Sequence, residues 1–116
     1  MAQVAAKIIN RAPGTIDRAH LTRMTFGDRS LEREVLQLFD RQAELLLARM
    51  RSGDPQALAA LAHTLRGSAS SIGADNVARA AQAVELSGPA ERDIAMTMLA
   101  ASIVEARAAI GGLLRD

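Results

Sequence analysis

The chain has 116 residues, 49% of them hydrophobic but only 2% aromatic (Phe26 and Phe39), with a formal net charge of +1 and no cysteine. A domain of this size buries one modest core, and a core of Ala, Leu, Ile, Val and Met without aromatics suits helix-on-helix packing better than a β-sandwich. The charge gives no case for bulk attraction to nucleic acid or an anionic membrane, the few aromatics argue against a base-stacking platform, and the missing thiols exclude a disulfide framework or thiolate metal site. No apolar run approaches the ~20 residues needed to span a bilayer. The opening MAQVAAKIINRAPG, with one lysine ahead of a short apolar patch, is too weak for a signal peptide. The expectation is a soluble cytoplasmic domain that uses neither nucleic acid nor membrane.

In chain order, RAPGT breaks early and IDRAHLTRM reads as a short helix beginning near Thr15 or Asp17. FGDRS stops it, and Ser30 is placed to cap a second helix with Glu32 and Glu34 in its first turn, where carboxylates suit the dipole. Leu31, Val35, Leu38, Phe39, Gln42, Leu45, Leu46 and Met50 then recur at helical period for about six turns. In RSGDP, Gly53 is a stop, Asp54 a cap and Pro55 a first-turn proline. The helix that follows runs to about Gly73. Asp75 is read as the cap of the next, whose stripe is Val77, Ala80, Ala81 and Val84. SGP at 87–89 breaks the chain again. A last helix is expected from about Pro89 to Leu114, with Leu99, Ile103, Ala106, Ile110 and Leu113 on one side and Ile94 and Met98 extending the stripe. No segment alternates with period two. The fold read from this is all-α: an antiparallel up-and-down four-helix bundle with a short extra N-terminal helix as lid or brace. It forms one domain over 1–116, with its core roughly 15–114.

The third helix carries an anomaly, LAHTLRGSASSIGAD, residues 61–75. Glycine costs roughly 1 kcal/mol against alanine inside a helix and serine a few tenths, yet Gly67, Ser68, Ser70 and Ser71 follow a lone histidine. Advancing about 100° per residue puts Leu58, Leu61, Leu65 and Ile72 on the side opposite His63. Gln56, Ala59, Ala60, Gly67 and Ser70 fall around the histidine itself. A core histidine would sit within the apolar stripe, and an indifferent surface histidine would have long charged neighbours. Small neighbours instead let another protein's backbone approach an imidazole closely, which marks Gln56, Ala59, Ala60, Gly67 and Ser70 as a candidate partner-binding face.

These residues carry a resemblance. AHTLRGSASSIGADNVARAAQAVE resembles the signature of histidine-containing phosphotransfer (HPt) domains: His-x-Leu-Lys-Gly, then small residues, a glycine closing the helix, and a Leu-Glu-like pair on the next. IDRAHLTRMTFGD and the stretch from Leu31 through His63, including Phe39, resemble the family's first helices, so the likeness covers about Ile16 to Glu85. It departs at Arg66, where lysine is commoner, and at Val84, where leucine is commoner. Arginine keeps the charge but presents a planar fork rather than a point.

The resemblance implies a phosphorelay intermediate of two-component signalling. His63 would take a phosphoryl group from a receiver-domain aspartate and pass it to, or drain it from, another receiver. Imidazole suits the task because it is substantially unprotonated at neutral pH. The chain offers no carboxylate cluster for Mg²⁺ near His63, no phosphate-cradling glycine loop and no nucleotide motif. It is therefore read as a carrier, not an enzyme, needing no cofactor or metal of its own; catalysis and Mg²⁺ belong to the partner, a response-regulator receiver or a hybrid histidine kinase. A monomer is expected.

Arg66, at i+3, is either a screen for the incoming phosphate or an ordinary solvated arginine. Glu85 either accepts from His63 Nδ1–H, leaving Nε2 as nucleophile, or is a solvated surface glutamate. His20 reads as a surface histidine. Arg11, Arg18, Arg23, Arg29 and Arg33, interspersed with acids, read as a solvated face. Two rival functions stand beside the carrier. The His-Glu-Leu-Arg-Thr-Pro motif of the dimerisation and phosphoacceptor domain of sensor histidine kinases resembles His63 to Arg66, with Thr64 replacing the acid and Ser68 the proline. A helical adaptor or inhibitor would keep the fold and bind a regulator without being phosphorylated.

Overall fold

Aspartate punctuates this chain. Asp17, Asp28 and Asp54 each stand with extended backbone ahead of a helix, and their carboxylates accept from the N–H groups of His20, Leu31 and Gln56. The computed structural model describes residues 16–115, which form five helices: α1 Arg18–Met24, α2 Arg29–Ser52, α3 Pro55–Ser71, α4 Asp75–Leu86 and α5 Arg92–Arg115. The signal-peptide reading, the RAPGT break, Thr15 and Arg11 lie outside the described residues.

Two caps differ from expectation. Ser30 lies inside α2, because Asp28 already supplies the capping oxygen one residue before the helix begins. Asp75 is the first residue of α4 rather than its cap; Ala74 holds that place without a side-chain hydrogen bond, leaving Asp75 as the acid of the first turn. The last helix also starts later than Pro89, after a turn in which the Glu91 N–H bonds the Gly88 carbonyl.

The four long helices pack in a ring: α2 against α3 and α5, and α4 against α3 and α5. Leu36, Leu65, Val77, Leu99 and Ile110 lie fully inside, together with Ala43, Ala62, Ala69, Ala81 and Ala106. Ala81 and Ala106 fall in the expected stripes, whereas Ala43 on α2 and Ala95 on α5 mark where those stripes were misjudged. On α2 the buried face is Leu36, Phe39, Ala43, Leu46, Leu47 and Met50, while Leu38 and Leu45 are each 58% exposed. On α5 it is Ala95, Leu99, Ile103, Ala106 and Ile110, while Ile94 and Met98 point to solvent. Helix separation depends on the side chains at the contact, so small residues occupy the closest approach and some larger ones are left outside.

Across the α2–α5 seam, Arg107 Nε donates to Asp40 at 2.8 Å and its NH2 group lies 3.2 Å from Glu44. The Asp40 hydrogen bond, with both carboxylates nearby, raises the Arg107 pKa above its ordinary value. The sequence reading found no membrane-length apolar run, yet α5 is long and apolar enough by composition to cross one. Glu105 and Arg107 interrupt its run, and its Leu99–Ile110 side is packed in the bundle.

Helix α1 braces the far end of the α3–α4 turn. Ile16 is buried, the Asp17 N–H donates to the Gly73 carbonyl at 3.0 Å, and His20 Nε2 donates to the Ser71 carbonyl at 3.0 Å. His20 is thus a tie between α1 and α3, where a plain surface histidine was expected. Gly73 is required there twice over. Its φ of +81° is left-handed, and a Cβ would lie 2.9 Å from the Asp17 carbonyl oxygen.

Candidate functional site

The middle of α3 turns one apolar side inward and a low, small-residue side outward. Leu58, Ala62, Leu65 and Ala69 are buried, whereas His63, Gln56, Ala59, Ala60, Gly67 and Ser70 are all exposed. The hydroxyls of Thr64 and Ser71 fold back onto the carbonyls of Ala60 and Gly67, at 3.1 and 2.9 Å. They spend their hydrogen bonds inside the helix and keep the surface shallow.

Helix α4, pressed against α3, brings Glu85 to this face. Its Oε1 lies 3.0 Å from His63 Nδ1. A carboxylate oxygen accepts, so Nδ1–H is the donor, and in the neutral ring that tautomer leaves the Nε2 lone pair free. The two side chains differ in exposure, 61% for His63 and 24% for Glu85. The imidazole therefore projects into solvent from a more sheltered carboxylate. Glu85 Oε2 is shielded and makes no hydrogen bond, and Arg66 Nε stands 4.0 Å from it. Arg66 is close enough for an ion pair but too far for a hydrogen bond, so its guanidinium is not committed to Glu85.

Gly67, one turn beyond His63, has open space where a Cβ would project: beyond its chain neighbours and its own helix backbone, no heavy atom among the described residues lies within 4 Å. The fold does not need a glycine there. Nothing inside the domain offsets its roughly 1 kcal/mol helix cost.

The sequence reading missed one residue beside the site, Arg79. A cleft of about 410 Å³ runs from Arg66, Gly67 and Ser70 on α3 to Ala78, Arg79 and Gln82 on α4. Gln82 and Ala78 share the flank of α4 that carries Glu85, at i−3 and i−7, and the packing of α4 on α3 reveals that Arg79 borders the same cleft. Among the other singled-out cations, Arg18 faces Glu32 at 3.6 Å and Arg33 donates to the Leu114 carbonyl at 2.7 Å. Both are structural ties away from His63. Among the described residues, no group of three or more His, Asp or Glu side chains converges as a metal site.

The family model of the Hpt domain matches residues 30–111, from the first turn of α2 into the last turns of α5, with His63, Gly67 and Glu85 all inside the match. No curated protein and no solved structure matches the chain. Hpt domains take part in phosphotransfer in two-component signalling, as carriers that interact with receiver domains and histidine kinases. With well over half its length in that match and an all-helical architecture, the chain belongs to the Hpt domain family.

Proposed function

We propose that the protein is a phosphorelay intermediate in which His63 accepts a phosphoryl group from a receiver aspartate and hands it to, or drains it from, another receiver. The observation that carries this reading is the exposed imidazole whose Nδ1 is held at 3.0 Å by Glu85, on a face kept small by a glycine the fold does not require.

The chemistry follows from that arrangement. The Nε2 lone pair attacks phosphorus in line. The bond from phosphorus to the aspartyl oxygen breaks, its electron pair leaves with the carboxylate, and a phosphorus–nitrogen bond forms. The ring, still protonated at Nδ1, becomes cationic, and the Glu85 carboxylate beside Nδ1 stabilises that charge as it develops. Arg66 turns from Glu85 Oε2 toward the phosphoryl oxygens and offsets their negative charge. Transfer of this kind asks for alignment and charge neutralisation more than covalent machinery. The receiver supplies Mg²⁺, and the carrier itself is not an enzyme.

Gln56, Ala59, Ala60, Gly67 and Ser70 form the surface a receiver approaches. The frame is an antiparallel up-and-down four-helix bundle with α1 as brace, one domain over the whole chain, working as a monomer in the cytoplasm. The test is incubation with a phosphorylated receiver and, separately, with ATP. Acid-labile, base-stable phosphate appears on the protein in the first case and not in the second. Labelling by ATP alone contradicts the carrier reading and favours a kinase fragment; no labelling by any receiver favours a non-phosphorylated adaptor.

A further inference from the structure

The cleft between α3 and α4 has a chemical bias that the phosphoacceptor does not explain. It opens beside Gly67, and its lining includes two arginines, Arg66 and Arg79, with Ser70 and Gln82 as neutral hydrogen-bonding groups and no carboxylate. Arg79 is held in place by a hydrogen bond from its guanidinium to the Asn76 side chain one turn earlier on α4. Among the described residues no carboxylate lies within ion-pair distance of Arg79, and Arg66 reaches only the distant oxygen of Glu85. Two cations thus border one cleft with little internal compensation, although the chain as a whole is nearly neutral. An electropositive cleft of this kind favours an anionic occupant and speeds its approach.

We propose that this cleft seats a carboxylate-bearing surface segment of the receiver, and that Arg79, with Gln82 beside it, selects among receivers. The inference rests on the phosphoacceptor reading of His63. The cleft is continuous with the small-residue face through Gly67 and Ser70, so a receiver whose aspartyl phosphate meets His63 necessarily lies over or beside it. Arg66 faces the phosphate as well as the cleft. Arg79 sits on the other helix, with its own hydrogen bond to Asn76, and serves docking alone. Gln82, on the same flank one turn before Glu85, adds a neutral donor and acceptor that discriminates by hydrogen-bond pattern rather than charge.

The experiment measures steady-state transfer from a receiver that loads wild-type His63, using wild type, Arg79→Glu and Arg79→Lys across a range of salt concentrations. Arg79→Glu raises KM about five-fold or more at low salt with little change in kcat, and it flattens the salt dependence; Arg79→Lys restores most of the affinity. Loading of His63 by phosphoramidate, a small donor that needs no docking surface, separates a docking defect from a damaged nucleophile, and circular dichroism verifies the fold. An unchanged KM and salt response in Arg79→Glu overturns the proposal. So does a loss of phosphoramidate loading equal to the loss of receiver transfer. Failure of the phosphoacceptor reading has a different signature, no loading of wild-type His63 by any receiver, and overturns both.

Discussion

Glu85 Oε1 and His63 Nδ1 stand 3.0 Å apart across the α3–α4 contact, joining residues 22 positions apart in the sequence. On the proposed function this hydrogen bond leaves Nε2 as the attacking nitrogen, which would make it a lever on reactivity rather than on folding. Glu85→Ala removes the acceptor and lets the ring proton redistribute between its nitrogens. ¹⁵N NMR of the imidazole should show a smaller Nδ1–H population, and transfer should slow about ten-fold. Glu85→Gln, which can still accept through its amide oxygen, should keep the tautomer but lose the charge, and fall between the two. Equal spectra and rates for all three proteins would make Glu85 a bystander.

Arg66 tests charge against shape. If Arg66 screens the phosphoryl group as proposed, Arg66→Ala removes an interaction strongest once that group has arrived, so transfer should slow by roughly ten-fold and the phosphohistidine should lose stability against the aspartyl phosphate. Arg66→Lys should recover most of both, because a point charge on a flexible stem reaches the same oxygens without the planar fork. The equilibrium distribution of phosphate between carrier and receiver is the quantity to measure.

Gly67 separates fold from docking. Since a Cβ there meets nothing, Gly67→Ala should stabilise the free domain by up to about 1 kcal/mol in thermal or urea unfolding. Gly67→Gln and Ala60→Arg, both on the exposed face, should also stay folded and yet slow transfer from a receiver by crowding its approach. Cooperative melting lost in either variant would mean that the face is not free.

Gly73 makes the opposite prediction. Left-handed backbone costs an L-residue roughly 1–2 kcal/mol, and here the new Cβ also strikes the Asp17 carbonyl, so Gly73→Ala should destabilise by about 2–3 kcal/mol. Urea unfolding measures it. Because α1 is tied to this turn through Asp17 and His20, the loss should be accompanied by faster amide exchange in α1.

The sequence disclosed what local chemistry controls. Asp54 before Pro55 is a cap and first turn readable from two letters, and the outward phase of His63 follows from counting around one helix. Where two neighbours compete for a role, the sequence was less decisive: Ser30 reads as a good cap until Asp28 is seen to reach Leu31 first. Ranking residues by size hid Ala43 and Ala95 and put Leu38, Leu45, Ile94 and Met98 in a core they do not enter, although Ala81 and Ala106 were read correctly. The meeting of Glu85 with His63 was open in the sequence, because it depends on the register of α4 against α3. Arg79 was passed over for the same reason. Its place at the cleft is a property of two helices together, and neither periodicity contains it.

The most direct test of the central claim is to locate the phosphate. After incubation with a phosphorylated receiver under alkaline quench, ³¹P NMR and peptide mapping should place one phosphoryl group on Nε2 of His63, and His63→Gln should carry none while melting like the wild type. Phosphate that persists in His63→Gln, or that maps to Nδ1 or to another residue, contradicts the account.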